Sequence, residues 1–173
     1  MALLGLAGLF VTYGQGQPAR AQGGEEQAFV QRINELRASK GLRTLTVDPY
    51  LTDLSRTWAS AMRADGRISH APDITAGVTV EWLKIGENVG VGGDVDALFD
   101  AFVASPTHYE NLVDPLFTRI GVGVVWDGQV MYTTHRFMAM ANGDPGAPAT
   151  TAPPTTAPPT TPMRVNSGST RFS

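Results

Sequence analysis

The chain of 173 residues holds three histidines, all between positions 70 and 135. His70 follows Gly66-Arg67-Ile68-Ser69, and His108 sits in Ser105-Pro106-Thr107-His108-Tyr109-Glu110-Asn111. Between them stands Glu87, in Gly86-Glu87-Asn88. Imidazole and carboxylate together bind divalent metals or carry general acid–base chemistry. His70, Glu87 and His108 form no local metal motif, so their spacing leaves open whether they share a site.

Each of these residues also has a plainer reading. Ser105 directly before Pro106 suits a helix N-cap followed by a first-turn proline, and that role is preferred to nucleophile. Ser105 and His108 lie three apart on one helical turn, an arrangement a hydrolase could use. No acid is evident to orient His108, however, and no G-x-S-x-G elbow exists. Glu87 suits loop support around Asn88 as well as a cleft, and His70 suits a solvated loop. His135, in register with Met131, Thr133 and Phe137, is expected to be a structural or rim histidine rather than a ligand. Tyr109 and Glu110 are expected to face outward. Trp58, Trp82 and Trp126 are expected to be core or packing anchors.

Three helices must position these groups. The first runs from about Glu25 to Ser39, with Phe29, Ile33 and Leu36 on one face and Gly41 as a stop. The second opens on Asp48 as N-cap with Pro49 at the first helical position; Leu51, Leu54, Trp58 and Met62 form its stripe and Gly66 ends it. The third spans about Asp94–Ala104, with Val95, Leu98, Phe99 and Phe102 inward. A hairpin follows, because Ile120, Val122, Val124 and Trp126 alternate, Asp127-Gly128 supplies a two-residue turn and Val130–Phe137 returns. Leu45-Thr46-Val47 suggests a short strand, and Ala71–Lys84 has no clear pattern. Helices mixed with a small sheet indicate an α+β fold.

Composition bounds the rest. A hydrophobic share of 42% allows one packed core, and a net charge of −3 gives no basic footprint for nucleic acid or anionic membrane. Ala2–Val11 is an apolar run shorter than the roughly 20 residues that span a bilayer. Ala19-Arg20-Ala21 then gives an A-x-A cleavage pattern, so residues 1–21 read as a signal peptide and no transmembrane anchor is expected. No Lys or Arg precedes the apolar run, which points to a start upstream of Met1 or to the amino terminus as the sole positive charge; a buried N-terminal helix is the alternative. Export of a chain with no cysteine leaves stability to the core alone. The domain occupies residues 25–140. The repeated Thr-Thr-Ala-Pro-Pro beyond it makes 141–173 a disordered Thr/Pro-rich tail, suited to a stalk.

The ordered set of motifs resembles the CAP superfamily of cysteine-rich secretory proteins, antigen-five proteins and plant pathogenesis-related proteins, in its bacterial, cysteine-free, SCP-like branch. The resemblance covers about Gln27–Phe137. It rests on Ile33-Asn34-Glu35-Leu36-Arg37 with Gly41 and Leu45, Asp48 through Trp58 with Met62, His70, and Gly86-Glu87-Asn88. Ser105-Pro106-Thr107-His108, Phe117 with Ile120-Gly121-Val122-Gly123, and Tyr132 through Phe137 complete it. It implies a three-layer α-β-α sandwich with an open cleft lined by two histidines and two acids, a tetrad that in several members holds a divalent cation such as zinc. Carried over, His70, Glu87 and His108 are three of the four, and Ser105 stands where eukaryotic relatives have the second acid.

Three functions follow as expectations. The leading one is a secreted or cell-wall-associated binding protein whose cleft of His70, Glu87, Ser105 and His108 takes a small ligand, lipid-like or from the cell envelope, or a divalent cation at His70, Glu87 and His108. The second is a metal-assisted or acid–base extracellular hydrolase using Glu87 and His108. The third is a structural or adhesive module of the cell envelope.

Overall fold

The computed structural model describes residues 23–143. The expected leader over 1–21 and the Thr/Pro stretch lie outside these residues. In chain order the elements are α1 (Gly24–Ser39), β1 (Thr46–Val47), α2 (Pro49–Asp65), β2 (Trp82–Gly92), α3 (Val95–Ala104), α4 (Pro106–Val113), β3 (Arg119–Asp127) and β4 (Val130–Met140). The strands form one mixed sheet in the order β1-β3-β4-β2, with β1 parallel to β3 and the other pairs antiparallel.

Because successive strand residues face opposite sides, β4 carries two cores at once. Met131, Phe137 and Ala139 join Phe29, Ile33, Phe102, Leu112 and Phe117 on the side of α1, α3 and α4. Tyr132 joins Val89 and Met62 beneath α2 on the other. This is the α+β, three-layer α-β-α arrangement. Contact between α2 and the sheet is close enough to require glycine. A Cβ on Gly121 would lie 2.1 Å from the Leu51 carbonyl carbon, and one on Gly123 would lie 2.1 Å from the Arg56 nitrogen.

Local chemistry explains why α2 forms where it does. The Asp48 carboxylate accepts from the Tyr50 and Leu51 amides, Pro49 occupies the first turn and Gly66 ends the helix at φ 60°. A cap of this kind contributes about 1 kcal/mol. The following loop is tied back to α2: the Trp58 indole donates to the Ser69 carbonyl at 2.9 Å and the Tyr50 hydroxyl donates to the Gly77 carbonyl.

Several expectations change. The inward face of α1 carries, besides half-buried Leu36 packed against the core, the fully buried Arg37. The Arg37 guanidinium donates to the carbonyls of Arg43, Leu112, Asp114 and Phe117 at 2.8, 3.0, 2.9 and 3.1 Å, which is what makes its burial tolerable. A fourth helix, α4, follows Ser105. The unpatterned region resolves into a turn and then the long edge strand β2, so Glu87 lies in a strand and not in a loop. Asp127 pairs with Val130, so the two hairpin residues are Gly128 and Gln129, with Gly128 alone at positive φ. Trp82 is 40% exposed and anchors no core.

Candidate functional site

β2 is an edge strand, and its residues Glu87 and Asn88 reach to opposite faces of the sheet. On the α2 face, the Glu87 carboxylate accepts the Ala71 amide at 3.0 Å and the His70 Nδ1–H at 3.0 Å through the same oxygen, Oε1. Its second oxygen lies 3.4 Å from Nε of Arg136, the residue paired with Glu87 across β4. The Glu87 side chain is 1% exposed and that of His70 59% exposed. A buried carboxylate thus orients a solvent-facing imidazole, fixing the proton on Nδ1 and leaving Nε2 as the outward nitrogen.

On the other face, the Asn88 amide donates to the His108 carbonyl at 3.0 Å and accepts from the Asn111 amide at 2.8 Å. Asn111 also donates to the Glu87 carbonyl at 3.3 Å. These contacts tie α4 to the sheet edge. His108 Nδ1 lies 2.8 Å from the Ser105 hydroxyl, and the Phe102 ring lies 5.1 Å from the imidazole. Burial lowers the His108 pKa, and the charge of His70 lowers it further, which favours the neutral ring. Ser105 occupies the N-cap position of α4, but its side chain makes no capping bond. The hydroxyl meets His108 instead, so the expected capping role is corrected to one of positioning the ring.

The four expected cleft residues are therefore organised as two pairs, His70 with Glu87 and His108 with Ser105. Both Nδ1 atoms are engaged, and both Nε2 atoms lack a protein partner among the described residues. No group of three or more His, Cys, Asp or Glu among the described residues is arranged to hold a metal ion. With Glu87 engaged by His70, Ala71 and Arg136, the donor set reduces to two imidazoles. This is fewer than the three protein ligands usual at a catalytic zinc, so a full centre of the kind the resemblance implies does not fit. Among the described residues no Ser–His–acid relay is assembled either, since the buried carboxylate of Glu87 attends His70 rather than His108.

His135 belongs to the core. It is fully buried, and the rings of Phe29 and Phe102 lie 4.6 and 5.1 Å away, edge-on. Neither ring nitrogen has a hydrogen-bond partner. Burial, with a smaller contribution from the charge of His108, pushes its pKa down to about 3. Of the neighbours of His108, Tyr109 is half-buried and Glu110 is exposed.

Two residues of the site escaped the sequence reading. Asn111 carries no distinctive signal. Arg136 had one, a charge within a strand otherwise built of apolar residues, threonine and one histidine.

A family model described as the cysteine-rich secretory protein family, CAP, matches residues 30–140. The uncharacterized protein YkwD of Bacillus subtilis (strain 168) is 26% identical over 113 residues, 61% of this chain and 44% of that protein. An extracellular protein of Bacillus anthracis containing an SCP domain superposes with a TM-score of 0.62 at 24% identity, over 72% of this chain and 45% of that one. An outer surface protein of Borrelia burgdorferi gives a TM-score of 0.63 at 18% identity, over 68% and 94%. The chain thus spans less than half the length of the curated relative it matches. No helix among the described residues is long and apolar enough to cross a membrane.

Proposed function

The chain belongs to the CAP, or cysteine-rich secretory protein, family, and from that membership we propose that it works as an extracellular binding module whose contact surface is built on His70 and His108. The observation that carries this reading is the pairing at Nδ1. Glu87 holds one ring and Ser105 the other, at 3.0 and 2.8 Å. A histidine held at one nitrogen presents the other in a fixed direction, which is how proteins aim imidazoles at a ligand. Two such rings suit a small polar ligand, or one divalent cation that draws its remaining ligands from outside the protein. An extracellular setting agrees with the relatives from Bacillus anthracis and Borrelia burgdorferi.

Calorimetric titration with zinc chloride tests the cation half of the reading. Binding is expected to weaken roughly tenfold, about 1.4 kcal/mol, in His70→Ala and in His108→Ala. Equal titrations of the wild type and both variants remove it.

A hydrolase is the second reading, favoured by the Ser105–His108 contact at 2.8 Å. It is the weaker one, because Glu87 is buried with its accessible chemistry spent on His70, Ala71 and Arg136. Turnover of peptide or glycan substrates that disappears in Ser105→Ala or Glu87→Gln would reverse this order.

A further inference from the structure

On the α2 face, beside the His70 loop, lies a cavity of about 330 Å³ whose walls include Leu54, Trp58, Pro72, Ala76, Asp73 and Arg136. Arg136 is the unusual member. Its side chain is only 5% exposed, and its Nε has no hydrogen-bond partner. Its ion-pair partner is Glu87 Oε2, 3.4 Å from Nε, an atom that also lacks a hydrogen bond. A guanidinium carries five N–H donors; Nε faces Glu87, and the terminal nitrogens are the donors left for a group in the cavity that Arg136 lines.

The charge of Arg136 is already met. Glu87 lies against it, and Asp73 is near enough for the guanidinium to lower its pKa, after the larger effect of Thr75. Asp73 is tied into its own loop, accepting from the Thr75 amide at 2.8 Å and hydroxyl at 2.6 Å. A further anion would meet two carboxylates. What Arg136 can still take on the cavity side is therefore a neutral hydrogen-bond acceptor and not further negative charge. Beside Thr57 and Ala71, the wall offers aliphatic and aromatic surface from Leu54, Trp58, Pro72 and Ala76. The volume lies within the range of small-molecule pockets.

We propose that this cavity is a binding site for a neutral acylamide group, with its carbonyl accepting from the Arg136 guanidinium and its methyl or methylene face lying on Trp58, Leu54 and Pro72. An acetamido group has this composition, whether it comes from an N-acetylated amino sugar or from a blocked peptide. The site is separate from the imidazole pair, since neither His70 nor His108 lines the cavity.

The test is a two-dimensional amide NMR titration of the full chain with N-acetylglucosamine in one arm and N-acetyl-alanine amide in the other. Glucosamine, glucose and sodium acetate serve as controls. Saturable shifts are expected at Ala71, Asp73, Ala76 and the Trp58 indole, with at least one N-acetyl compound and not with the controls; the arm that saturates identifies the source. Acetate acting as well as the amide would overturn the argument from charge, and no saturable shift in either arm would overturn the site. Arg136→Met risks misfolding, so Ala76→Trp provides the second variant, filling the cavity from an exposed turn while leaving Arg136 intact. It should weaken binding roughly tenfold, and unchanged binding would refute the location. His70→Ala and His108→Ala should leave these shifts in place, so failure of the imidazole reading does not carry this one with it.

Discussion

Glu87 and Asn88 are adjacent on an edge strand and hold opposite faces of the molecule: Glu87 takes the loop bearing His70, and Asn88 takes the helix bearing His108. The alternation of a strand does this without further machinery. Two segments far apart in sequence are thereby referred to one backbone.

Asn88 is fully buried, so its loss is a matter of orphaned partners. Asn88→Ala would leave the His108 carbonyl and the Asn111 amide without their bonds to Asn88. The expected destabilisation is about 1–3 kcal/mol, read as a lower urea midpoint. The His108 imidazole should titrate closer to its ordinary value as α4 loosens and the ring gains solvent. An unchanged His108 titration by NMR would show that Asn88 does not position it.

Glu87 differs from Asn88 in leaving a charge behind. Glu87→Ala removes the acceptor of the Ala71 amide and the carboxylate facing buried Arg136. Removing one partner of a buried ion pair costs on the order of 3–5 kcal/mol. Glu87→Gln keeps an oxygen for Ala71 and should fall between wild type and Glu87→Ala in chemical denaturation. If the Gln and Ala variants proved equally stable, the Ala71 contact would carry no weight.

The elements legible in the sequence were those fixed by local chemistry. Asp48-Pro49 and Gly66 bracket α2, and the Asp94 side chain caps α3 by accepting from the Ala97 amide. β2 was not legible, because Gly86, Gly90 and Gly92 break the pattern of a strand, and glycine is depleted in strands. Their reason is tertiary. A Cβ at these positions would lie 2.7–2.8 Å from Asn111, Phe102 and Leu98. Arg37 was hidden for the same kind of cause, since three of the four carbonyls that satisfy it come from α4 and the segment after it. His70, Glu87, Ser105 and His108 were all named from sequence, but their division into two pairs depends on which face each side chain takes.

Gly123 shows how little room the α2–sheet contact leaves. An added Cβ would sit 2.1 Å from the Arg56 nitrogen and 2.3 Å from the Ser55 carbonyl carbon, both backbone atoms that cannot rotate away. Gly123→Ala should therefore exceed the usual overpacking penalty of about 1–3 kcal/mol, seen as a collapse in melting temperature or soluble yield. Gly93→Ala is the control: nothing lies within 4 Å of its Cβ, and a change within about 0.5 kcal/mol is expected. A folded Gly123→Ala protein of wild-type stability would contradict the close packing.

His135 makes stability depend on pH in a definite direction. Its pKa is about 3 in the folded chain against an ordinary 6.5. Between those values the unfolded chain binds a proton that the folded chain refuses. Stability is therefore complete above about pH 6.5 and falls as pH drops toward 3, with a limiting slope of about 1.4 kcal/mol per pH unit from this residue. His108, lowered in the same direction, adds to the loss. His135→Leu removes the titrating group together with two nitrogens that have no partner in the core, at the expense of the edge-on contacts with Phe29 and Phe102. Replacing an unsatisfied buried polar group by an apolar one of similar shape is close to neutral or stabilising, so the variant should match or exceed wild type at neutral pH. The deciding window is pH 6.5 to 5, above the range in which most carboxylates titrate. Urea midpoints there should fall less steeply for His135→Leu than for wild type, and parallel curves would mean that His135 is not the residue the folded state keeps neutral.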